Sequence, residues 1–149
     1  MYKFIIIYFI VASLSGCAGN STAVRGAELA NKDLLKERSP YRVDVKVFED
    51  GGAVTSTVWA GTKGISIMES ADNTLKSDVW KFFEKQCGLH KSDLREVRVV
   101  QHKHPFYYEV WIFNDKESKR DDETTGISLI LNFSPSGGTD INLVGSCHP

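Results

Sequence analysis

The stretch "FYYEVWIF" (residues 106–113) carries large apolar side chains on both faces of a predicted strand. Successive side chains of a strand point to opposite faces, so the even-numbered and odd-numbered residues form separate faces. One face must cover the core, and the other is too apolar for bulk water. Two interpretations follow: a strand buried on both sides, or an exposed patch centred on Tyr107 and Trp111. The patch would bind a protein, because Tyr and Trp often anchor interfaces.

A hairpin is predicted before the main helix. The segment "YRVDVKVF" (41–48) alternates apolar and polar residues, as expected of a half-buried strand. Asp50-Gly51 is a strong turn signal, and "AVTSTVWAG" (53–61) is the returning strand. A third strand is predicted at "GISIM" (64–68).

The main helix is predicted within "DNTLKSDVWKFFEKQCGL" (72–89). Asp72 or Asn73 can cap its first turn, and Gly88 fits the left-handed position after its last turn. Cys87 is predicted at the edge of the apolar face. That face is formed by Leu75, Val79, Phe82, Phe83 and Gln86.

Strands dominate the rest of the chain. They are predicted at 95–101, 106–113, 127–133 and 140–147, and the last one places Cys147 on the core side. The element order predicts an α+β domain, with one main helix (about 72–87) packed on a mainly antiparallel sheet of five to seven strands.

The N-terminus has the pattern of a secretory signal peptide. Lys3 precedes an apolar run at 4–14, which is too short to span a membrane. The following "LSGC" (14–17) resembles the lipobox of bacterial lipoproteins. The resemblance implies cleavage before Cys17 and acylation of that residue, for example with palmitate. In lipoproteins of this kind, Asp directly after the acylated Cys favours retention in the inner membrane, so Ala18 implies an outer-membrane location facing the periplasm. In a Gram-positive bacterium the resemblance would instead imply anchoring in the plasma membrane.

Three regions are therefore predicted. Residues 1–16 form a cleaved signal peptide, 17–40 a lipid-anchored tether with a short helix at 27–38, and 41–149 a periplasmic α+β domain. A helix, an aromatic strand and the strand-turn "NFSPSGG" (132–138) resemble, at fold level, the β-lactamase-inhibitor-like lipoproteins of the outer membrane. Those proteins carry a helix pair before their strands, so the resemblance transfers no residue.

The chain has three cysteines, an odd number for an exported protein. If Cys17 carries lipid, Cys87 and Cys147 remain as a pair in an oxidising compartment, where a disulfide persists. Closing a loop of about 60 residues would stabilise the fold by up to about 4 kcal/mol. The alternative is two buried free thiols.

Catalytic motifs are not apparent. His102 and His104 could share a metal if both lay on a strand, but "HKHP" (102–105) also fits a polar turn. We expect neither a cofactor nor a metal. The formal net charge of −1 argues against a nucleic-acid partner.

These features predict a membrane-anchored periplasmic lipoprotein that binds protein as an accessory or assembly factor of an envelope complex. The alternative is an inhibitor or immunity protein against a toxin or hydrolase that reaches the periplasm. A metal-dependent enzyme is a third hypothesis. A toxin gene next to this one would favour the inhibitor, and metal in the purified protein would favour the enzyme.

Overall fold

The computed structural model describes residues 15–149, with side chains from residue 21 onward. The predicted signal peptide therefore lies, up to residue 14, outside the described residues. The described helices are α1 (Ser15–Lys36) and α2 (Asn73–Cys87). The described strands are β1 (Tyr41–Val47), β2 (Ala53–Trp59), β3 (Thr62–Lys63), β4 (Leu94–Lys103), β5 (Phe106–Asn114), β6 (Thr124–Phe133) and β7 (Thr139–Val144). Neither of these helices combines the length and the apolar character needed to cross a membrane.

The described strands form two antiparallel sheets. One has five strands in the order β3-β4-β5-β6-β7, and the other is the β1–β2 hairpin. The α+β class and a five-stranded antiparallel sheet are therefore confirmed. The hairpin does not extend that sheet, because α1 packs on it and makes it part of a separate layer.

Strand β5 lies at the centre of the large sheet and is covered on both faces. Its odd-numbered side packs against α2, in a cluster that contains Trp111, Phe113 and Phe83. Its even-numbered side packs against the end of β2. On that side the Tyr108 hydroxyl donates to the Ser39 carbonyl, in the connection from α1 to β1. The fold is thus three layers deep, with β5 in the middle layer.

Helix α2 has the predicted ends but is rotated about its axis. The Asp72 carboxylate accepts a hydrogen bond from the Leu75 N–H at 2.8 Å, and Gly88 ends the helix with a φ of 63°. Its fully buried residues are Val79, Phe83 and Cys87. Phe82 and Gln86, predicted on the apolar face, are exposed. The buried face is thus turned toward Cys87, which is itself buried.

The Cys87–Cys147 disulfide is present. It joins the last turn of α2 to the segment after β7, with Cα atoms 5.2 Å apart and 60 residues of separation. The predicted pairing is therefore confirmed. A bridge across a loop of this length restricts the unfolded chain strongly and stabilises the attachment of α2 to the sheet.

Helix α1 is longer than the helix predicted at 27–38, and it includes residues 18–26, which were predicted to be a tether. The contact that orders it is made by Asn31. The Asn31 side-chain oxygen accepts from the Val43 N–H at 2.7 Å, and its amide donates to the Val43 carbonyl at 2.8 Å. Ala27, one turn earlier, is buried. Contact with the hairpin thus stabilises α1 despite the poor helix propensity of the small polar residues that precede Ala27.

The prediction of a strand at 64–68 is wrong. A two-residue strand, β3, precedes it, and a 3₁₀ turn occupies Ile67–Glu69. The Ser66 hydroxyl caps this turn by accepting from the Met68 N–H at 3.1 Å. The backbone bends here because Ile67 donates its N–H to the buried Glu109 carboxylate and not to a neighbouring strand.

Gly126, on β6, allows the Trp59 ring to lie flat on the sheet. A Cβ atom at this position would overlap the ring, whereas a Cβ at Gly26 on α1 would meet nothing within 4 Å. We expect Gly126→Ala to lower the free energy of unfolding by about 1–3 kcal/mol through overpacking. Gly26→Ala is the matched control and should raise it by about 0.5–1 kcal/mol. Urea denaturation measures both, and equal effects of the two variants would contradict the packing of Trp59 on β6.

Candidate functional site

A cleft lies where α2 faces the start of β4 and the loop after β3. Its volume is about 650 Å³, within the usual range of ligand-sized sites. Helix α2 contributes Lys76 and Trp80, which are four residues apart and therefore on one face. The loop contributes a wall from Gly64 to Glu69, and β5 contributes Trp111 as part of the floor.

The floor of the cleft is aromatic and rigid. The ring of Trp80 lies 5.0 Å from that of Trp111. Trp111 in turn stacks on Phe83, with 5.1 Å between ring centroids and 14° between the planes. Met68 is 5% exposed and closes the side below the loop. This packing fixes the rings before any ligand arrives, so binding would cost little side-chain entropy.

The Glu109 carboxylate holds the loop wall in place from below. Its Oε1 accepts from the Ile67 N–H at 2.6 Å and lies 2.6 Å from His102 Nε2. Its Oε2 accepts from the Ser66 hydroxyl and from the Trp111 indole N–H, both at 2.7 Å. Glu109 is 1% exposed, so it connects the loop, β4 and β5 from within the protein.

A carboxylate buried this deeply is tolerated only when hydrogen bonds replace its hydration. The four partners around Glu109 provide this replacement, and hydrogen bonds to an ionised acceptor are stronger than neutral ones. None of these four hydrogen-bonding groups points into the cleft without a partner. The role of Glu109 is therefore structural: it shapes the wall of the site.

The rim of the cleft is mainly basic. Six charged side chains line it: Lys63, Lys76, Lys91, Arg95, Glu69 and Glu96. Glu96 is already shared between Lys63, at 3.7 Å, and Arg98, at 3.1 Å. Within residues 21–149, no ion pair engages Lys76, Lys91 or Arg95. A local excess of positive charge thus lies in a chain whose formal net charge is −1.

A second polar cluster fastens the C-terminus beside the disulfide. His148 Nδ1 lies 2.9 Å from the Asp115 carboxylate, and its Nε2 lies 3.0 Å from the Cys87 carbonyl oxygen. Both ring nitrogens thus face acceptors, which suits the doubly protonated ring. The hydrogen bond to Asp115 is the main cause that raises the pKa of His148, and burial opposes it.

Asp115 responds in the opposite direction. Its burial raises the pKa, but hydrogen bonds from the Thr125 hydroxyl, His148 and the Glu117 N–H outweigh burial and hold the pKa below its usual value. The charged form of Asp115 is therefore part of the folded state. The cluster connects β6, the loop after β5 and the C-terminal residues.

The patch predicted at Tyr107 and Trp111 is not an exposed surface. Trp111 is 1% exposed, and Tyr107 is half-buried, with its ring 5.4 Å from that of Phe133. The interpretation of these two residues as a partner-binding patch is wrong, because α2 covers the odd-numbered face of β5. The alternative, a strand buried on both sides, is what the structure shows.

The other predicted positions are not brought together. His102 bonds Glu109, whereas the ring of His104 lies 6.0 Å from that of Phe133. Residues 21–149 contain no group of three or more His, Cys, Asp or Glu side chains arranged to hold a metal ion. Cys17 falls in the first turn of α1, where the structure describes no side chains.

The basic cleft was missed by the sequence interpretation. A signal was present, since Lys76 and Trp80 share one helix face, and Lys91 and Arg95 flank the start of β4. The prediction did not place Trp80 on the apolar face, so it did not indicate a site that these cations could surround.

Comparisons of the chain with protein-family models, curated proteins and solved structures gave no match.

The His148 cluster predicts the pH dependence of stability. Since the pKa of His148 is raised above 6.5 in the folded protein, its stabilisation is complete below that pH and is lost as pH rises through the raised value. Asp115 has a lowered pKa, so its stabilisation is present above 3.8 and is lost as pH falls through the lowered value. The two contributions coincide between about pH 4 and 6.5.

We therefore expect the free energy of unfolding to fall as the pH rises above about 6.5, and His148→Gln to make this fall shallower. Denaturation at several pH values measures the slope. His104→Gln is the control, because His104 is exposed and bonds no carboxylate in residues 21–149. An unchanged slope in His148→Gln would refute the assignment of this pH dependence to the cluster.

Proposed function

We propose that the chain is a lipid-anchored lipoprotein of the bacterial outer membrane, facing the periplasm, and that its folded domain binds another envelope protein in the basic cleft. The domain serves as an accessory or assembly factor and not as an enzyme. The observation that carries this proposal is the cleft itself, with its prearranged aromatic floor and a rim of cations without ion-pair partners.

The anchor is supported by two independent features. The lipobox at 14–17 follows a short apolar run, and the Cys87–Cys147 disulfide fits an oxidising compartment outside the cytoplasm. Helix α1 includes Cys17 and leads directly into the layer that packs on β5. An acylated Cys17 would therefore hold the domain close to the membrane surface, with α1 as the link.

Protein binding is supported by how the cleft is built. Its floor belongs to the main core, and its wall is held by the satisfied Glu109 carboxylate, so the site has a fixed shape. Ile65, on the rim, is 76% exposed. An aromatic floor surrounded by polar and charged residues resembles the arrangement of an interface, where a desolvated centre is bordered by a polar rim.

The anchor predicts a specific labelling result. Labelled palmitate should enter the full-length protein, because the thiol and the new amino terminus of Cys17 are the acylated groups in lipoproteins. Cys17→Ser should accumulate as an unlabelled precursor of higher mass. Cys147→Ser, which removes a cysteine elsewhere, is the control and should still be labelled. Label in the Cys17→Ser protein would contradict the proposed anchor.

The cleft predicts where a partner can be trapped. A photo-crosslinking amino acid at Ile65 should give a discrete protein adduct in living cells, because this side chain lies on the rim. The matched control is the same amino acid at Val54, which is 55% exposed on the hairpin and outside the cleft. Adducts of equal yield at the two positions, or none at Ile65, would refute partner binding in the cleft.

A further inference from the structure

The charge of the cleft defines the chemistry of its occupant. Lys76, Lys91 and Arg95 converge on one opening, and in residues 21–149 they have no carboxylate partner. Cations that line one opening attract a negatively charged ligand, which would neutralise them. The rim carries four cations against two acidic residues, so Glu69 and Glu96 do not cancel this excess, and Glu96 is already engaged with Lys63 and Arg98.

The floor of the cleft favours an occupant that carries an apolar group in addition to its negative charge. The partly exposed ring of Trp80 and the side chain of Ile65, which is 76% exposed, offer apolar surface at the opening, and Trp111 and Met68 lie buried beneath them. A small inorganic anion would neutralise the rim but would leave this surface in contact with water. An occupant that fits both features carries negative charges around a large apolar side chain.

The edge of the sheet favours a polypeptide over a small molecule. Strand β3 is the last strand in the sheet order and pairs on one side only, with β4. Its Lys63, followed by Gly64, lines the cleft, so the outer edge of β3 borders the opening. An extended chain can lie along the outer edge of a sheet.

We infer that the cleft binds an acidic polypeptide segment that inserts a large apolar side chain between the cations. The inference rests on the proposed function, since it assigns the chemistry of the partner at the same site. An exposed ion pair changes an affinity by a factor of about 1.4 to 5. Three pairs of intermediate strength therefore separate an acidic segment from its uncharged counterpart by about tenfold.

Two peptides test the inference. One is a short, fluorescein-labelled, capped peptide with glutamates on both sides of a Phe–Leu pair, and the other has glutamine at each glutamate. Fluorescence anisotropy measures their binding to the mature protein, purified from the membrane in detergent micelles. We expect the glutamate peptide to bind at least about tenfold more tightly and to weaken as salt is added. No binding up to about 1 mM, or equal binding of the two peptides, overturns the inference.

Charge reversal locates the effect. Lys91→Glu combined with Arg95→Glu should reduce binding of the glutamate peptide by about tenfold or more. Lys32→Glu combined with Lys103→Glu changes the net charge equally but lies on exposed residues outside the cleft, and it should leave binding unchanged. Equal losses in the two double variants would mean non-specific attraction. Stronger binding of short double-stranded DNA than of the glutamate peptide would also overturn the inference.

The crosslink at Ile65 separates this inference from the proposed function. If the adduct persists at full yield in the Lys91→Glu/Arg95→Glu protein, the cleft binds a partner without using these cations, and only the acidic-segment inference fails. If Ile65 gives no adduct in the unaltered background, the proposed function fails. Loss of the adduct on charge reversal, together with an acidic attached segment identified by mass spectrometry, supports both.

Discussion

Burial of β5 on both faces is the constraint on which the rest of the fold depends. Almost every residue from 108 to 113 is fully buried, and a strand of this composition cannot leave one face in water. Two covering layers are therefore needed. Helix α2 supplies one, locked to the sheet by the Cys87–Cys147 bridge. The other covering layer consists of the end of α1, the connection through Ser39 and the end of β2.

One polar residue interrupts this apolar strand, and it organises the candidate site. Glu109 lies on the face that packs toward α2, and its burial would be strongly unfavourable without partners. The Ser66 hydroxyl, the Ile67 N–H, His102 and the Trp111 indole satisfy the carboxylate. Removing one of these partners would leave charge unsatisfied, so the loop that forms the cleft wall is tied to the core.

Apolar surface and positive charge coincide at the cleft, and this is why we propose it as the binding site. The aromatic strand that the sequence singles out is internal, while Trp80, on the helix that covers it, borders an opening surrounded by cations. An interface combines a desolvated centre with a charged rim, and this cleft offers both on one side of the domain. A lipid on Cys17 would add proximity: it would confine the cleft to the membrane surface, where even a weak interaction is favoured by the high local concentration.

Most of the local elements and the disulfide could be predicted from the sequence alone. Alternation in 41–47, the Asp72 cap and the Gly88 stop are encoded in neighbouring residues, and so they are readable without the fold. Three features could not be predicted from the sequence: which face of α2 is buried, the helical state of residues 18–26, and the bend of residues 64–68 toward Glu109. Those outcomes depend on contacts between residues far apart in the chain, such as Asn31 with Val43 and Ile67 with Glu109, for which the sequence carries no periodic signal. The cleft could not be predicted for the same reason, because its cations come from separate elements that only the packing of α2 on the sheet brings together.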